Sequence, residues 1–338
     1  MSSETFTLED IAEILAEAGK RLEGDAHGLP EVIEKTEMYN PWFTADHCNL
    51  MLQSFRDHYF APEKLKQWIS NYSGRPLNHK TTGLVFAGNV PFVGMADLLA
   101  VLMSGNSAMI KLSSKDSFFF PWFAEQLTSL SPVLGNRVVF TERLKDFDNI
   151  IATGSNNAAR YFHYYFDKYP HIIRKNRTSV AIIHKDISDA ELLALGKDVF
   201  YYYGLGCRNV GKLFLPDTFD ITRIFEAWAP YAYVMDNTKY KNNYDYNRAL
   251  LLLNKTEHFA NDFFMLQETA DLFSPLSVLY FSKYADTETL QTHLDEIAGD
   301  LQCVVASGAG NTAFGYSQFP ELWDYADHVD TLDFLLAH

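Results

Sequence analysis

The chain has 338 residues, 47% of them hydrophobic and 15% aromatic, and a formal net charge of −15. That length exceeds one ordinary core and suits two α/β domains, with enough apolar material to bury both. The acidic balance excludes a nucleic-acid partner, which would need a basic face, and no apolar run approaches the roughly 20 residues that a membrane span requires.

The N-terminus, "MSSETFTLEDIAEILAEAGKRL", lacks the basic start and apolar core of a signal peptide. Leu8, Ile11, Ile14, Leu15 and Leu22 instead follow helical spacing, with Thr7 and Asp10 placed to cap the first turn. Cys48, Cys207 and Cys303 are far apart and odd in number, which does not describe a disulfide framework. A reducing, cytoplasmic location is expected.

A helical region to about residue 75 leads into "GLVFAGNVPFVGMADLLAVLMSGNSAMIKL", which reads as strand, glycine turn, helix, strand. A helix over 118–130, a strand at "RVVFTE" and a strand, turn and helix in "NIIATGSNNAARYFHYYF" continue the alternation. Then come "SVAIIH", the helical "DISDAELLALGKDVFYYYG", and the strand "GKLFLP". Gly88-Asn89 and Thr153-Gly154-Ser155 each fall between a strand and a helix, the edge of an open α/β sheet where ligands bind. Taken singly, each is an ordinary tight turn. The runs Phe118–Phe120 and Tyr201–Tyr203 suit either plain core or the walls of an apolar pocket.

Within "YYYGLGCRNVGKLFLP" one cysteine stands between a glycine turn and a polar run. An inert cysteine usually sits inside an apolar pattern, whereas a thiol beside exposed backbone N–H groups can be held as the nucleophilic thiolate. Cys207 is therefore the candidate nucleophile. The eleven histidines offer no pair at a zinc-ligand spacing accompanied by cysteine or a carboxylate triad, and no metal is expected.

From Gly83 onward the sequence resembles the LuxC-type acyl-CoA reductases, a branch of the aldehyde dehydrogenase superfamily. "GNVPF" resembles that superfamily's asparagine turn, which implies that Asn89 is an oxyanion donor, and "MIKLSS" resembles its lysine motif, placing Lys111 beside the adenosine ribose. "IATGSNNAARYF", with Thr153, Gly154 and Ser155, resembles the segment that meets the nicotinamide half. "GLGC" is similar to the nucleophile loop. "DLFSPLSVLYF" is similar to the ribose-holding motif, which gives Asp271 and Phe273 cofactor roles, and "FGYSQFPELWDYADHVDTLDFL" looks like the C-terminal segment of LuxC-type proteins.

The resemblance implies an aldehyde dehydrogenase-like α/β fold: two open parallel-sheet domains with an active-site cleft between them. Residues 1–183 plus 305–338 would form the N-terminal helices and the Rossmann-like nicotinamide domain, and 184–304 the catalytic thiol domain. It implies reduction of an acyl-CoA or other acyl thioester, long-chain by the aromatic runs, to the aldehyde through a cysteine acyl-enzyme, with coenzyme A as leaving group. It further implies an acyl-protein synthetase partner and a homo-oligomer.

Three departures sharpen this. Aldehyde-oxidising relatives carry a water-activating glutamate where this chain has "RKNRTSVAII", which contains no acid. Without that base an acyl-enzyme persists for a thiol or a hydride. In the ribose-holding motif, Asp271 replaces glutamate and Ser274 replaces glycine. In the lysine motif, NAD-preferring relatives have a glutamate where this chain has Ser114, which leaves room for a 2′-phosphate near Lys111 and Lys115 and favours NADP(H) over NAD(H). Two alternatives stay open: an acyl-phosphate or semialdehyde reductase of the same superfamily, and a non-catalytic relative that binds a synthetase or acyl carrier.

Overall fold

The computed structural model describes residues 6–338; the first five residues of the expected N-terminal domain lie outside them. Two compact units are present, one made of the residues through Asn176 together with Pro320–His338, the other of Arg177–Phe319. The expected boundaries at 183/184 and 304/305 thus fall at 176/177 and 319/320. The reason is strand pairing: residues Thr178–Ile182 hydrogen-bond to Val210–Pro216 and to Leu301–Val305, so that strand joins the second sheet.

The first unit opens with four helices, α1 (Leu8–Gly19), α2 (Leu29–Tyr39), α3 (Ala45–His58) and α4 (Pro62–Ser70). Thr7 and Asp10 form the expected capping box at the start of α1. The sheet region follows as β1 (Thr81–Val85), α5 (Met95–Met103), β2 (Ser107–Lys111), α6 (Phe119–Leu130), α7 (Pro132–Gly135), β3 (Val138–Phe140), β4 (Asn149–Thr153), α8 (Asn156–Phe166) and β5 (His171–Arg174). The strands are all parallel in the order β3-β2-β1-β4-β5. The chain therefore reverses its direction across the sheet between β1 and β4, where open α/β sheets bind ligands at their carboxyl edge.

Hydrophobic residues cover almost the whole surface of α5, from Leu98 to Met103, and all of these are buried. Phe119, Phe120 and Phe123 of α6 pack into the same core as Leu15, Trp68 and Leu335. Phe119 stacks on Phe92 at 4.0 Å between ring centroids, an arrangement that adds about 0.5–1.5 kcal/mol beyond area burial. Phe119 and Phe120 are thus core, while Phe118 is half-buried and meets Tyr39 edge-on. The C-terminal helix Thr331–Ala337 closes this core through Leu332, Leu335 and Leu336.

The second unit comprises β6 (Thr178–Ile182), α9 (Asp189–Phe200), β7 (Val210–Pro216), α10 (Thr222–Ala227), α11 (Thr238–Leu253), β8 (Phe259–Ala260), β9 (Met265–Glu268), β10 (Val278–Tyr284), α12 (Thr287–Ile297) and β11 (Leu301–Val305). Their order is β11-β6-β7-β10-β9-β8, parallel except for the antiparallel β8–β9 pair at one edge. Two α/β units with open sheets agree with the expected fold class, the second sheet being mixed at that edge. Among the described residues no helix is long and apolar enough to cross a membrane.

Candidate active site

Three of the sequence-derived segments gather at one edge of the first sheet. Val85 pairs with Lys111 on one side and with Ala152 on the other, so the carboxyl ends of β1, β2 and β4 lie level. From those ends run the turn bearing Asn89, the Lys111–Ser114 segment and Thr153-Gly154-Ser155. Asn89, Lys111, Ser114 and Ser155 are exposed, while Thr153 and Gly154 are half-buried. Ser155 caps α8 by accepting from Ala158 N at 3.3 Å. A side chain on Gly88 would meet Ser113 Oγ at 2.3 Å, and one on Gly154 would meet Ala158 Cβ at 2.8 Å, so packing within the unit demands glycine at both turns.

The turn after β1 is anchored from below by Asp116, which sequence reasoning missed. Phe92, in a left-handed conformation with φ 56°, donates its N–H to Asp116 Oδ2 at 2.8 Å, while Oδ1 has no partner among the described residues. Burial pushes this carboxyl up to about 7, against the lowering effect of the Phe92 N–H. A carboxyl raised on folding is protonated in the native state while the unfolded chain ionises near pH 4. Its contribution to stability is therefore complete below about pH 4 and is lost as pH rises through about 7. Asp116→Asn retains an acceptor for Phe92 but cannot ionise. Thermal melts across pH 5 to 8 are expected to show the parent falling more steeply than this variant, with the variant the more stable at pH 8. Parallel profiles would contradict this account.

In the second unit the cysteine turn has a demanding backbone. Tyr202, Tyr203 and Gly204 have φ of 52°, 57° and 75° in succession, which turns the chain sharply out of α9. Asn209 holds that shape. Its Nδ2 donates to the carbonyls of Asp198 at 3.0 Å, Val199 at 3.4 Å and Tyr201 at 2.9 Å, and its Oδ1 accepts from Gly206 N at 2.8 Å. The Gly206 N–H expected to be exposed is thus consumed inside the loop. Ser179 of β6 donates from Oγ to the Cys207 carbonyl at 3.0 Å and lies 3.0 Å from Cys303 Sγ.

The three cysteines are free thiols in different surroundings. Cys48 in α3 is fully buried, and desolvation, reinforced by Asp116 and Glu37, pushes its thiol far above the usual range. Cys303 in β11 is likewise raised, chiefly by burial. Cys207 is half-buried at the tip of a loop braced on both sides.

Asp271 and Phe273 are exposed in the segment between β9 and β10. The buried ammonium of Lys212, on β7, donates to the carbonyls of Thr269 and Asp271 at 2.9 Å each. Burial lowers its pKa, and the nearby Asp271 charge opposes that. Lys212 stands five positions after Cys207 and ties the Asp271 segment to the strand that follows the nucleophile loop. A lysine inside the apolar run "GKLFLP" was the signal for it. Asp198 of α9, pushed up to about 6 by burial, accepts from Gly315 N and Ser317 N at 2.6 and 2.9 Å, which fixes "FGYSQ" to the second unit.

His163 and Asp167 at the end of α8 and His171 at the start of β5 place their ligand atoms within 4.8 Å of one another, a grouping the sequence reading passed over.

Two α/β units of this kind define the aldehyde dehydrogenase fold, and solved structures share it. A cysteine-to-alanine mutant of indole-3-acetaldehyde dehydrogenase of P. syringae, determined with NAD+ and IAA, aligns over 90% of this chain and 73% of its own, with TM-score 0.66 and 12% identity. Succinic semialdehyde dehydrogenase of Streptococcus pyogenes, determined with NADP+, aligns over 91% of this chain and 78% of its own, with TM-score 0.64 and 14% identity. No curated protein matches the sequence. The acyl-CoA reductase (LuxC) family profile matches residues 5–227, and the chain belongs to that family. It is an oxidoreductase of the aldehyde and acyl group.

Proposed function

We propose that the protein reduces a long-chain acyl thioester, with coenzyme A as leaving group, to the aldehyde at the expense of NADPH, through an acyl-enzyme on Cys207. The observation that carries this reading is the contrast among the thiols: Cys48 and Cys303 are held protonated by burial, whereas Cys207 tips a braced loop inside the family match. The Cys207 thiolate attacks the thioester carbonyl carbon, and the bond to the coenzyme A sulfur breaks as that thiolate departs. The Cys207 N–H and the Asn89 amide are assigned the developing oxyanion. Reduced nicotinamide, when bound, supplies the hydride to the acyl carbon. Cys207 is then expelled as the aldehyde leaves, its sulfur regaining the original electron pair.

The residues present fit that cofactor. At the carboxyl edge Lys111, Ser114 and Lys115 are exposed within residues 111–115, and Lys212 holds the main chain of Asp271 in place to accept from a ribose hydroxyl. One charge-assisted contact to a 2′-phosphate is worth on the order of 1.5–3 kcal/mol, which makes NADPH better than NADH by about ten- to a hundredfold in kcat/KM. The test is nicotinamide consumption across acyl-CoAs from acetyl to hexadecanoyl, with small acyl phosphates in parallel. Oxidation of NADPH that rises with chain length is expected. Turnover confined to acyl phosphates, or none with any acyl donor, would overturn the reading.

A further inference from the structure

We propose that His163, Asp167 and His171 form a binding site for a divalent ion of the zinc class, separate from the acyl-reducing chemistry. His163 and Asp167 lie four residues apart, where helical geometry puts side chains on one face, and His163 Nδ1 meets Asp167 Oδ1 at 2.8 Å. That contact alone is an ordinary helix ion pair. What it does not explain is the third group: His171 Nε2 also faces Asp167 Oδ1, at 3.6 Å, from a different element.

The hydrogen bond on the far side of His171 decides its tautomer. Its Nδ1 lies 2.8 Å from the Tyr169 carbonyl, which can only accept, so Nδ1 carries the proton. In the neutral ring the lone pair then sits on Nε2, directed at Asp167. A carbonyl holding the outer nitrogen while the inner one faces a carboxylate and a second imidazole is the support that metal-ligating histidines ordinarily have. The two rings stand nearly perpendicular, at 86°. Ligand atoms within 4.8 Å need only small rotations to reach the spacing of about 3.4 Å that a tetrahedral ion with bonds of 2.0–2.1 Å requires.

Main-chain hydrogen bonds hold both elements. Asp167 N donates to His163 O at the helix end, and β4 receives β5 in register through Ile150 and His171. His163 and Asp167 are exposed and His171 is half-buried, so solvent can supply the remaining ligand. Ligation through an imidazole nitrogen requires that nitrogen to be unprotonated, so any proton it carries passes to water on binding. The site lies at the opposite end of α8 from Ser155, a helix of 11 residues and hence about 16 Å, so the ion cross-links the helix end to the strand start and does not touch the proposed cofactor turn.

Zinc titration of the full chain by calorimetry tests this against a His163→Ala/His171→Ala variant, both retaining all cysteines so that thiol-bound zinc is common to the two. The parent is expected to bind one equivalent more than the double variant. Asp167→Asn is expected to weaken that equivalent by at least about tenfold, since even an outer partner of a ligand is worth that much. Crystals soaked in zinc should show an anomalous peak between the three side chains. Equal stoichiometry in parent and double variant, or an anomalous peak at cysteines alone, would overturn the site.

Discussion

Cys207→Ala is expected to abolish labelling by a radiolabelled acyl thioester and to cut reductase turnover by about 10⁴-fold or more, the scale on which loss of a covalent nucleophile acts. The substitution should leave the fold intact. The loop is shaped by Asn209 and Ser179, whose hydrogen bonds near residue 207 go to the main chain. Cys48→Ala and Cys303→Ala provide the contrast. Cys48 is a packed core group that donates to the Phe43 carbonyl at 3.5 Å, and Cys303 is a strand residue beside Ser179. Each removal costs packing, while labelling at Cys207 should persist in both. Undiminished labelling of the Cys207 variant would transfer the nucleophile elsewhere and end the assignment.

The sequence made some of this legible because local chemistry and tertiary structure agree there. Thr7 and Asp10 announce a helix start, and they cap one. The apolar runs around Leu84, Ile110 and Ile151 are parallel strands with those three residues buried, and glycine turns at Gly88 and Gly154 follow the first and third of them. What stayed hidden depended on partners distant in the chain. "SVAIIH" reads as a strand, but nothing local says that it pairs with Val210 and Leu301 and so belongs to the second unit. "HIIR" is too short and too charged to stand out, yet β5 completes the first sheet. Within the candidate site the sequence offered the proposed reacting groups but not the residues that support them. Asn209, Lys212, Asp116 and Ser179 act by donating to, or accepting from, the main chain of other segments, and spacing in sequence carries no trace of such bonds. The His163, Asp167 and His171 grouping escaped for a related reason: its third member lies beyond the helix end, where helical spacing no longer applies.

The second large effect follows from a missing carboxylate and is read in the oxidative direction. Once an acyl group is on Cys207, it leaves by attack of water or of another nucleophile. Water at neutral pH is slow unless a base takes its proton in the transition state, help worth typically 10² to 10⁴ in rate. The stretch from His171 to His184 contains no acidic residue. A carboxylate that reaches it, Asp97, is committed to a buried ion pair with Arg174 at 2.6 Å, and the same guanidinium also donates to Thr331 Oγ1. A thiolate needs no such help, because it is ionised in part and intrinsically nucleophilic. Mixing the protein with a long-chain aldehyde and NADP+ is therefore expected to give one burst of NADPH, near one equivalent per Cys207. A slow steady state should follow, and free coenzyme A should accelerate it by about 10²-fold or more. Stopped-flow absorbance of NADPH with and without coenzyme A measures both phases. Fast turnover to the carboxylic acid without coenzyme A would mean that another group activates water, and the thioester-reducing role would give way to aldehyde oxidation.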